Sequence, residues 1–345
     1  MKADNPFTLN FGKQPSNYVS RYAESNAIIS SFAGDDPISQ IYLIEGLRGS
    51  GKTVLMTAVS NELQETGEWV VADLLPTVDL LDDLANRLSD IARSNKHWLP
   101  SGMTLSVGGT KLEWKDQSLP QDNRSIIDGI IKALVKKKKK ILITIDEVTM
   151  GQNMRDFGTE FQSLVRKNYP VFLIMTGLHE NIHHVQNDKS LTFLLRSPKI
   201  TLEPLSVFQI TTKYESALQV SAETAKNLAA ITKGYAFAFQ VLGLLYYEKK
   251  ASDSLEDIYP KMDEMLDGFV YRKIWESLST KDREVMKVVP DEGIKTKEIC
   301  ERLSMTSSVF SKYQDRLKKK GLMKSSEYGV VELTLPRFAI IAEKY

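Results

Sequence analysis

The sequence lacks the features of several protein classes. One cysteine, Cys300, among 345 residues cannot form an internal disulfide. No apolar run approaches the roughly 20 residues that a membrane-spanning helix needs. The first residues, Met1 to Pro6, contain no apolar segment of the kind found in secretion signals. We therefore expect a cytoplasmic protein that does not insert into membranes.

The chain also has little net charge, formally +1, which argues against a wholly basic nucleic-acid-binding protein. The charge is unevenly distributed. Residues 279–345 hold 14 basic and 10 acidic residues, whereas the remaining 278 residues hold 31 basic and 34 acidic ones. The positive excess therefore lies at the C-terminal end.

What the sequence does contain is a glycine-rich stretch, 46–53, that fits G-x-x-x-x-G-K-[ST] at every fixed position. The β-prone segment 40–45 precedes it and a helical pattern at 54–63 follows, which is the context of a phosphate loop. Lys52 would lie between the β- and γ-phosphates of a nucleotide, and the Thr53 hydroxyl would bind Mg²⁺. The predicted nucleotide-binding residues of this stretch are Gly46, Arg48, Gly49, Ser50, Gly51, Lys52, Thr53 and Val54.

A second chemical signal is the apolar strand predicted at 141–147, which ends in two carboxylates. We expect Asp146 to share the Mg²⁺ with Thr53, and Glu147 to polarise the water that attacks the γ-phosphate. The next apolar strand, 170–176, ends in Thr176, at the edge of a parallel sheet where ligands bind. Thr176 is therefore predicted to contact the γ-phosphate.

The order of predicted elements indicates an α/β fold of the P-loop NTPase type. Strands alternate with helices as far as residue 205, which predicts a five-stranded parallel sheet in an αβα arrangement. The extra strand between the phosphate loop and Asp146 separates the chain from small GTPases. Only helices are predicted for 206–278, a helical lid subdomain. The predicted domains are an ATPase domain at 1–205, the lid at 206–278 and a winged helix domain at 279–345.

The winged helix-turn-helix is predicted from three helices followed by a two-stranded wing that turns near 327–329. In such folds the third helix, here 307–320, enters the major groove of double-stranded DNA. The module also serves other proteins as a protein-docking surface, and that alternative stays open. The predicted DNA contacts are Ser307, Ser308, Lys312, Tyr313, Arg316, Lys319 and Lys324.

Three further patterns have alternative interpretations. The segment 103–114 predicts a hairpin, an insertion at about 103–115, in which Val107 pairs with Thr110 across a Gly-Gly turn. Its apolar face would pack on the ATPase core or bind a partner. The lysine run at 136–140 suits either a helix C-terminus or nucleic acid. His179 to His183 matches the zinc motif H-E-x-x-H. The match begins just after a predicted buried strand and has no obvious third ligand except the adjacent His184, so we interpret it as a chance match.

Together, the phosphate loop, Asp146 with Glu147, Thr176, the helical lid and the winged helix resemble the AAA+ and STAND ATPases, especially archaeal-type ATPases related to origin-recognition initiators. This resemblance covers nearly the whole chain. It implies that Thr176 is the first sensor and that Tyr18 to Arg21 forms the linker beside adenine. It also implies that Arg196 is an arginine finger that reaches a neighbour's γ-phosphate, for which a surface arginine is the alternative.

The lid departs from the initiators. Between Gly234 and Phe239 there is no counterpart of the second sensor arginine. The turn Gly234-Tyr235-Ala236 is closer to the STAND G-x-P turn, with alanine in place of proline. Tyr235 is thus predicted to lie in a hinge that faces the nucleotide.

Our leading hypothesis is an ATPase that binds ATP or ADP with Mg²⁺ and uses the nucleotide state to position a DNA-binding winged helix. An alternative is a slow ADP/ATP signalling switch whose winged helix docks protein. A third is an assembly factor that uses the hairpin at 103–114 to dock a partner. A homo-oligomer or a protein partner is possible in each hypothesis, and membrane is not an expected partner.

Overall fold

The computed structural model describes residues 5–10, 17–34, 36–95, 103–105, 112–114, 117–118 and 122–345. The chain forms two compact units. The sheet unit comprises residues 21–45 and 52–201, and the helical unit comprises residues 1–20, 46–51 and 202–345. Within the described ranges, no helix combines the length and the apolarity that crossing a membrane requires.

The sheet unit is built on a five-stranded parallel sheet, as predicted, with the strand order β2-β6-β7-β1-β8. β7 lies between β1, which leads into the glycine-rich stretch, and β6, which leads to Asp146. The extra strand predicted between these two positions is therefore confirmed. The strands of this unit are β1 (Ile41–Glu45), β2 (Trp69–Leu74), β3 (Met103–Leu105), β4 (Leu112–Trp114), β5 (Gln117–Ser118), β6 (Lys140–Ile145), β7 (Val171–Gly177) and β8 (Lys199–Thr201).

Helices cover the sheet because each buries one apolar stripe, and the strands β1 and β7 are buried along their whole length. Asp79 and Asp122 cap two of these helices, since their carboxylates accept backbone N–H groups of the first turn. The helices are α1 (Tyr22–Ala33), α2 (Lys52–Glu65), α3 (Leu80–Ser94), α4 (Asn123–Lys136), α5 (Gln152–Arg166) and α6 (His179–Gln186), with a 3₁₀ helix at Thr192–Arg196.

The hairpin forms in the predicted register, because Met103 pairs with Trp114 and Leu105 with Leu112. A third short strand, β5, which we did not predict, pairs with β4. The turn from Val107 to Thr110 lies outside the described residues. The lysine run follows α4, where Lys140 donates to the Ala33 carbonyl at 2.8 Å and Lys139 donates to the Gly67 carbonyl. Two of the five lysines therefore hold neighbouring turns of the sheet unit.

The helical unit contains a bundle of helices and a small antiparallel sheet with the order β10-β11-β9. The turn between β10 and β11 lies where the wing turn was predicted. The elements are α7 (Val207–Leu218), α8 (Ala222–Ile231), α9 (Ala236–Glu248), α10 (Tyr259–Leu266), α11 (Arg272–Glu276), α12 (Thr280–Val288), β9 (Ile294–Lys295), α13 (Thr296–Arg302), α14 (Ser307–Lys319), β10 (Met323–Glu327), β11 (Val330–Leu333) and α15 (Phe338–Ala342).

Residues 256–276, within the segment predicted to contain only helices, form one continuous helical run whose hydrogen bonding changes along its length. A 3₁₀ turn at Glu256–Ile258 leads into α10, and a π-helical turn at Asp267–Tyr271 connects α10 to α11. The junction residues Tyr259, Asp267 and Arg272 all have right-handed helical φ and ψ angles. The predicted helical character is therefore confirmed here, although the π-helical turn was not predicted.

The predicted lid, 206–278, and the predicted winged helix segment, 279–345, share one continuous apolar core. Polar contacts also link them. Arg337 donates to both Asp263 carboxylate oxygens, the Nη2 bond being 2.7 Å long, and its guanidinium lies over the Tyr259 ring. Tyr271 donates its hydroxyl to the Pro336 carbonyl at 2.9 Å. We infer that the two segments move together, although their division into separate domains stays a prediction.

We expect Arg337→Met to lower the free energy of unfolding by about 3 kcal/mol, because it leaves the buried Asp263 carboxylate without its partner. Urea unfolding followed by tryptophan fluorescence measures the change. Arg302→Met, at an exposed position on α13, is the matched control and should change stability by less than about 0.5 kcal/mol. Equal effects of both variants would show that the Arg337 pair does not hold the helical unit together.

Candidate functional site

The glycine-rich stretch connects β1 to α2, so the predicted strand, loop and helix are present. Gly49 and Gly51 have φ angles of 75° and 95°, a backbone region that residues with a side chain rarely adopt. α2 begins at Lys52, and this residue is only 6% exposed. A loop of this kind at a helix N-terminus directs backbone N–H groups toward an anion, and the helix dipole favours negative charge there.

A cluster of three side chains forms in the sheet unit where α2 begins and β6 and β7 end. The Thr53 hydroxyl donates to Asp146 Oδ2 at 2.7 Å. The Thr176 hydroxyl, completely buried, donates to the other Asp146 oxygen. Three residues that the sequence separates by more than 120 positions thus meet at one carboxylate. The structure brings together the predicted metal ligands and the predicted sensor.

Glu147 follows Asp146 in a strained backbone conformation. Its φ is 52°, which is uncommon for a residue other than glycine and costs on the order of 1–3 kcal/mol. Its backbone N–H donates to Thr176 Oγ1 at 3.2 Å, and its side chain is exposed. Strained residues held by their surroundings are concentrated at active sites. The conformation therefore supports a functional role for Glu147.

Within the helical unit, the glycine-rich stretch is held by the residues that begin α9. The Tyr235 hydroxyl donates to the Arg48 carbonyl at 2.6 Å, and the Phe237 N–H donates to the Gly49 carbonyl at 3.1 Å. A Cβ atom on Gly49 would lie 2.3 Å from the Tyr235 hydroxyl oxygen, so only glycine fits there. Burial raises the pKa of the Tyr235 hydroxyl well above its usual value, so it remains a donor.

Comparison with known proteins identifies the fold. Residues 268–340 match a family described only as a domain of unknown function, DUF8462. No curated protein sequence matches the chain. Among solved structures, the Walker-type ATPase PABY2304 of Pyrococcus abyssi matches with a TM-score of 0.70 and 14% identity, over 98% of this chain and 99% of the other.

Two further archaeal structures are similar over nearly their whole length. The ORC2 protein of Aeropyrum pernix has a TM-score of 0.62 and 14% identity, over 99% of this chain and 97% of the other. Cdc6p from Pyrobaculum aerophilum has a TM-score of 0.52 and 12% identity, over 97% and 96%. This chain shares the α/β fold of these archaeal Walker-type ATPase, ORC2 and Cdc6p structures. At such low identities the likeness concerns the fold, and the chemistry depends on the residues in place.

For an AAA+ fold, the residues around Asp146 suit Mg²⁺. This ion prefers oxygen ligands in an octahedron at roughly 2.0–2.1 Å, which places neighbouring ligand oxygens about 3 Å apart. Thr53 Oγ1 and Asp146 Oδ2 are 2.7 Å apart and chemically appropriate. Among the residues that the structure describes, no group of three His, Cys, Asp or Glu side chains is arranged to hold a metal. The Mg²⁺ would therefore need phosphate or water oxygens as well.

The remaining predicted nucleotide contacts of the AAA+ fold lie in different surroundings. Tyr18 is half-buried in the helical unit, between the buried residues Asn17 and Val19. Arg21 forms an ion pair with Glu24 at 3.4 Å. Ser50 is buried and Val54 is half-buried in the first turn of α2. Arg196 ends an exposed 3₁₀ helix, and no ion pair to it occurs within the described ranges.

Sequence analysis missed Glu45, the last residue of β1. Its side chain is 3% exposed, accepts from the Thr201 hydroxyl at 2.8 Å, and lies 3.0 Å from His179 Nδ1 and 3.4 Å from Lys199 Nζ. A charged residue in an otherwise apolar strand, directly before the glycine-rich stretch, was the available signal. This contact also explains the position of His179, the first residue of the H-E-x-x-H pattern, without a metal.

The structure separates the predicted DNA contacts into two groups. Arg316 donates to Asp282 at 2.6 and 3.0 Å, and its guanidinium lies over the Tyr313 ring, while Lys324 pairs with Glu332 at 2.9 Å. These two cations are neutralised by neighbours. Among the predicted contacts on α14, Ser307, Ser308, Lys312 and Lys319 are exposed and form no ion pair with a residue that the structure describes.

Proposed function

We propose that this AAA+ protein binds ATP and ADP with Mg²⁺ and hydrolyses ATP. The cluster of Thr53, Asp146 and Thr176, with the strained Glu147 beside it, is the observation that carries the proposal. It brings a hydroxyl and carboxylates together at the carboxyl ends of parallel strands, where such sheets bind ligands. The ORC2 protein of Aeropyrum pernix, solved with ADPNP and ADP, has the same fold.

Each residue has a distinct role in the proposed reaction. Lys52 binds the β- and γ-phosphates and compensates their negative charge. Thr53 and Asp146 would hold the Mg²⁺, which when bound neutralises charge on the phosphates. Glu147 accepts a proton from the attacking water, and Thr176 fixes the position of Asp146 and of the Glu147 backbone. The reaction is an in-line attack of water on the γ-phosphorus, in which the bond to the β,γ-bridging oxygen breaks and ADP leaves with that oxygen.

Calorimetric titration of the purified protein with ATP, ADP and GTP tests nucleotide binding directly. We expect ATP and ADP to bind one per chain, with tighter ATP binding when Mg²⁺ is present than in EDTA. GTP is the control for base selectivity. No heat of binding with any of the three nucleotides would refute the proposed site.

We further propose that the C-terminal segment acts as a winged helix on double-stranded DNA. The order of α12 to α14 and the antiparallel strands β9 to β11 support this, as does the excess of basic residues after residue 279. Since Arg316 and Lys324 are paired with carboxylates, Lys312 and Lys319 carry the expected phosphate contacts.

We expect the double substitution Lys312→Ala and Lys319→Ala to weaken duplex binding and to lower the slope of log affinity against log salt by about 2. Fluorescence anisotropy of a labelled 30-base-pair duplex at several salt concentrations measures both quantities. Lys297→Ala, an exposed lysine on α13, is the control. A slope that the double substitution leaves unchanged would remove α14 from the DNA interface.

A slow signalling switch is the second candidate, and the bonds from Tyr235 and Phe237 to the carbonyls of Arg48 and Gly49 favour it. They tie the phosphate-binding stretch to the same compact unit as the C-terminal segment. ADP found in protein purified without added nucleotide, together with no duplex affinity at low salt, would support this candidate over DNA binding. ATP turnover stimulated by duplex DNA would exclude it.

Tyr235→Phe removes the hydroxyl that holds the Arg48 carbonyl and keeps the ring. The loss of one such hydrogen bond costs about 1 kcal/mol, so we expect a fluorescent ADP analogue to dissociate roughly fivefold faster. Stopped-flow displacement by excess ADP measures the rate. Tyr247→Phe, which removes a hydroxyl at the opposite end of α9 from Tyr235, is the matched control. Equal dissociation rates in wild type and Tyr235→Phe would show that this bond does not control nucleotide release.

The exposed Arg196 is relevant to whether two copies of the chain form one active site. We propose that its exposed guanidinium reaches a nucleotide on a second copy of the chain, because it lies at the end of a short helix with Leu195, which is 56% exposed, beside it. Turnover per chain that rises with protein concentration in wild type, and stays constant in Arg196→Ala, would support this role.

A further inference from the structure

A small cavity in the sheet unit lies directly beside the two carboxylates that follow β6. It has a volume of about 240 Å³, and its lining combines apolar side chains with polar ones: Leu80, Ile145, Val148 and Met154 with Thr149, Gln152 and Asn153. Small-molecule sites usually measure roughly 300–1,000 Å³. The cavity therefore suits one side chain better than a whole cofactor.

Exposed apolar residues lie next to this cavity. Leu75 and Val78 are 50% and 43% exposed, and they flank Pro76, which lines the cavity, in the loop after β2. Asn153, another lining residue, donates its side-chain amide to the Val78 carbonyl at 3.3 Å, which fixes that loop beside α5. Apolar surface at the mouth of a cavity is typical of a site that binds a partner.

The surroundings of the cavity are acidic. The two chain segments that supply its lining, 73–83 and 145–154, contain six acidic residues and neither lysine nor arginine. Asp79, the residue that caps α3, and Asp82, in its first turn, are exposed on either side of the lining residue Leu80 in the chain. Two arginines lie close to these segments in sequence: Arg155 is bound through two nitrogens to Asp188, and Arg87 pairs with Asp83, one of the six acidic residues, at 3.1 Å. Such a field attracts cations and repels the phosphates of nucleic acid.

We propose that this cavity is the docking site for a segment of a partner protein that inserts one large apolar side chain and carries lysine or arginine beside it. The apolar side chain fills the space between Leu80, Val148 and Met154. The flanking cations lie against Asp79 and Asp82. The charge of the two lining segments selects this occupant over a nucleic acid.

The cavity lining adjoins, in the chain, the two residues proposed for ATP hydrolysis, Asp146 and Glu147. Ile145 and Val148 line the cavity on either side of Asp146 and Glu147 in the chain, and the Val148 N–H donates to the Thr176 carbonyl at 2.8 Å. An occupant therefore contacts the residues that fix the strained Glu147. Docking changes the rate of ATP hydrolysis, a consequence that rests on the proposed ATPase function, whereas the docking itself does not.

Methyl NMR of the full chain, with Ile, Leu and Val methyl groups labelled, tests the docking independently of ATPase activity. The probe is the peptide acetyl-Arg-Leu-Arg-amide, and the controls are acetyl-Arg-Gly-Arg-amide and acetyl-Glu-Leu-Glu-amide. We expect saturable shifts of the Leu80, Ile145 and Val148 methyl signals with the probe and at least tenfold weaker responses with either control.

Two variants block the site by different means. Gly151 lines the cavity in an extended conformation, and a Cβ there would meet no atom within 4 Å, so Gly151→Leu adds an apolar side chain to the lining without a clash at Cβ. Val78→Lys, at an exposed position, repels the cationic probe. Both should weaken the probe's effect at least tenfold. Gly268→Leu, another glycine with open space around it, is the matched control and should leave the response unchanged.

Unsaturable shifts, equal shifts with the glycine peptide, or shifts that survive both Gly151→Leu and Val78→Lys would overturn the docking site. So would a single-stranded oligonucleotide that moves the same methyl signals when the peptide does not. If the peptide shifts appear but the protein hydrolyses no ATP, the docking site stands and the proposed ATPase function fails.

Discussion

Glu147→Gln should reduce the rate of ATP hydrolysis by about 10²–10⁴-fold, since an amide cannot accept a proton from the attacking water. Nucleotide binding should remain within about threefold of wild type, because Lys52, Thr53 and Asp146 are unchanged. Phosphate release under steady-state conditions and calorimetric ATP titration give the two quantities. The protein should accumulate with ATP bound and uncleaved.

Glu180→Gln is the matched control for this substitution. Glu180 lies in the first turn of α6, within the same sheet unit, and takes no part in the proposed reaction. Its variant should hydrolyse ATP at the wild-type rate. If Glu147→Gln also turned over normally, Glu147 would not be the base and its strained backbone would need another explanation.

Lys52→Ala should weaken ATP binding at least 100-fold. Lys52 is almost completely buried at the first position of α2, where we propose that its ammonium compensates the charge of the phosphates. Hydrogen bonds between charged groups contribute about 1.5–3 kcal/mol each, and the lysine is expected to reach two phosphates. Calorimetry with ATP and with ADP measures the loss, which should be larger for ATP.

Lys136→Ala, an exposed lysine at the end of α4, controls for a general change in charge and should leave the affinity unchanged. A thermal melt without nucleotide shows whether Lys52→Ala is folded. Tight ATP binding by the folded Lys52→Ala protein would contradict the assignment of the phosphate-binding stretch.

The sequence was most informative where one local pattern determines both structure and chemistry. The glycines before Lys52 need positive φ angles, and this conformational requirement is visible in the residue types. The strand before Asp146 is apolar because it is buried on both faces. For the same reason the five-stranded sheet and the extra strand β7 were predictable. The hairpin register followed from alternation on either side of a two-residue turn.

Features that depend on contacts between distant residues were not predictable. The pairing of Arg316 with Asp282 joins α14 to α12, and nothing in the local sequence of α14 indicates it. The bond from Tyr235 to the Arg48 carbonyl spans 187 positions. The π-helical turn at Asp267–Tyr271 was not predictable either, because it lies between two α-helical stretches that share the ordinary helical pattern. The short β9 and α15 carry too few residues for a periodic signal.

Release of phosphate from ATP by the purified wild-type protein is the measurement that decides whether this protein is an ATPase. We expect release that requires Mg²⁺, stops in EDTA and is lost in both Glu147→Gln and Lys52→Ala. Measurement with and without duplex DNA, over a range of protein concentrations, includes conditions in which a partner or a second copy completes the site. No Mg²⁺-dependent phosphate release under any of these conditions would contradict the account.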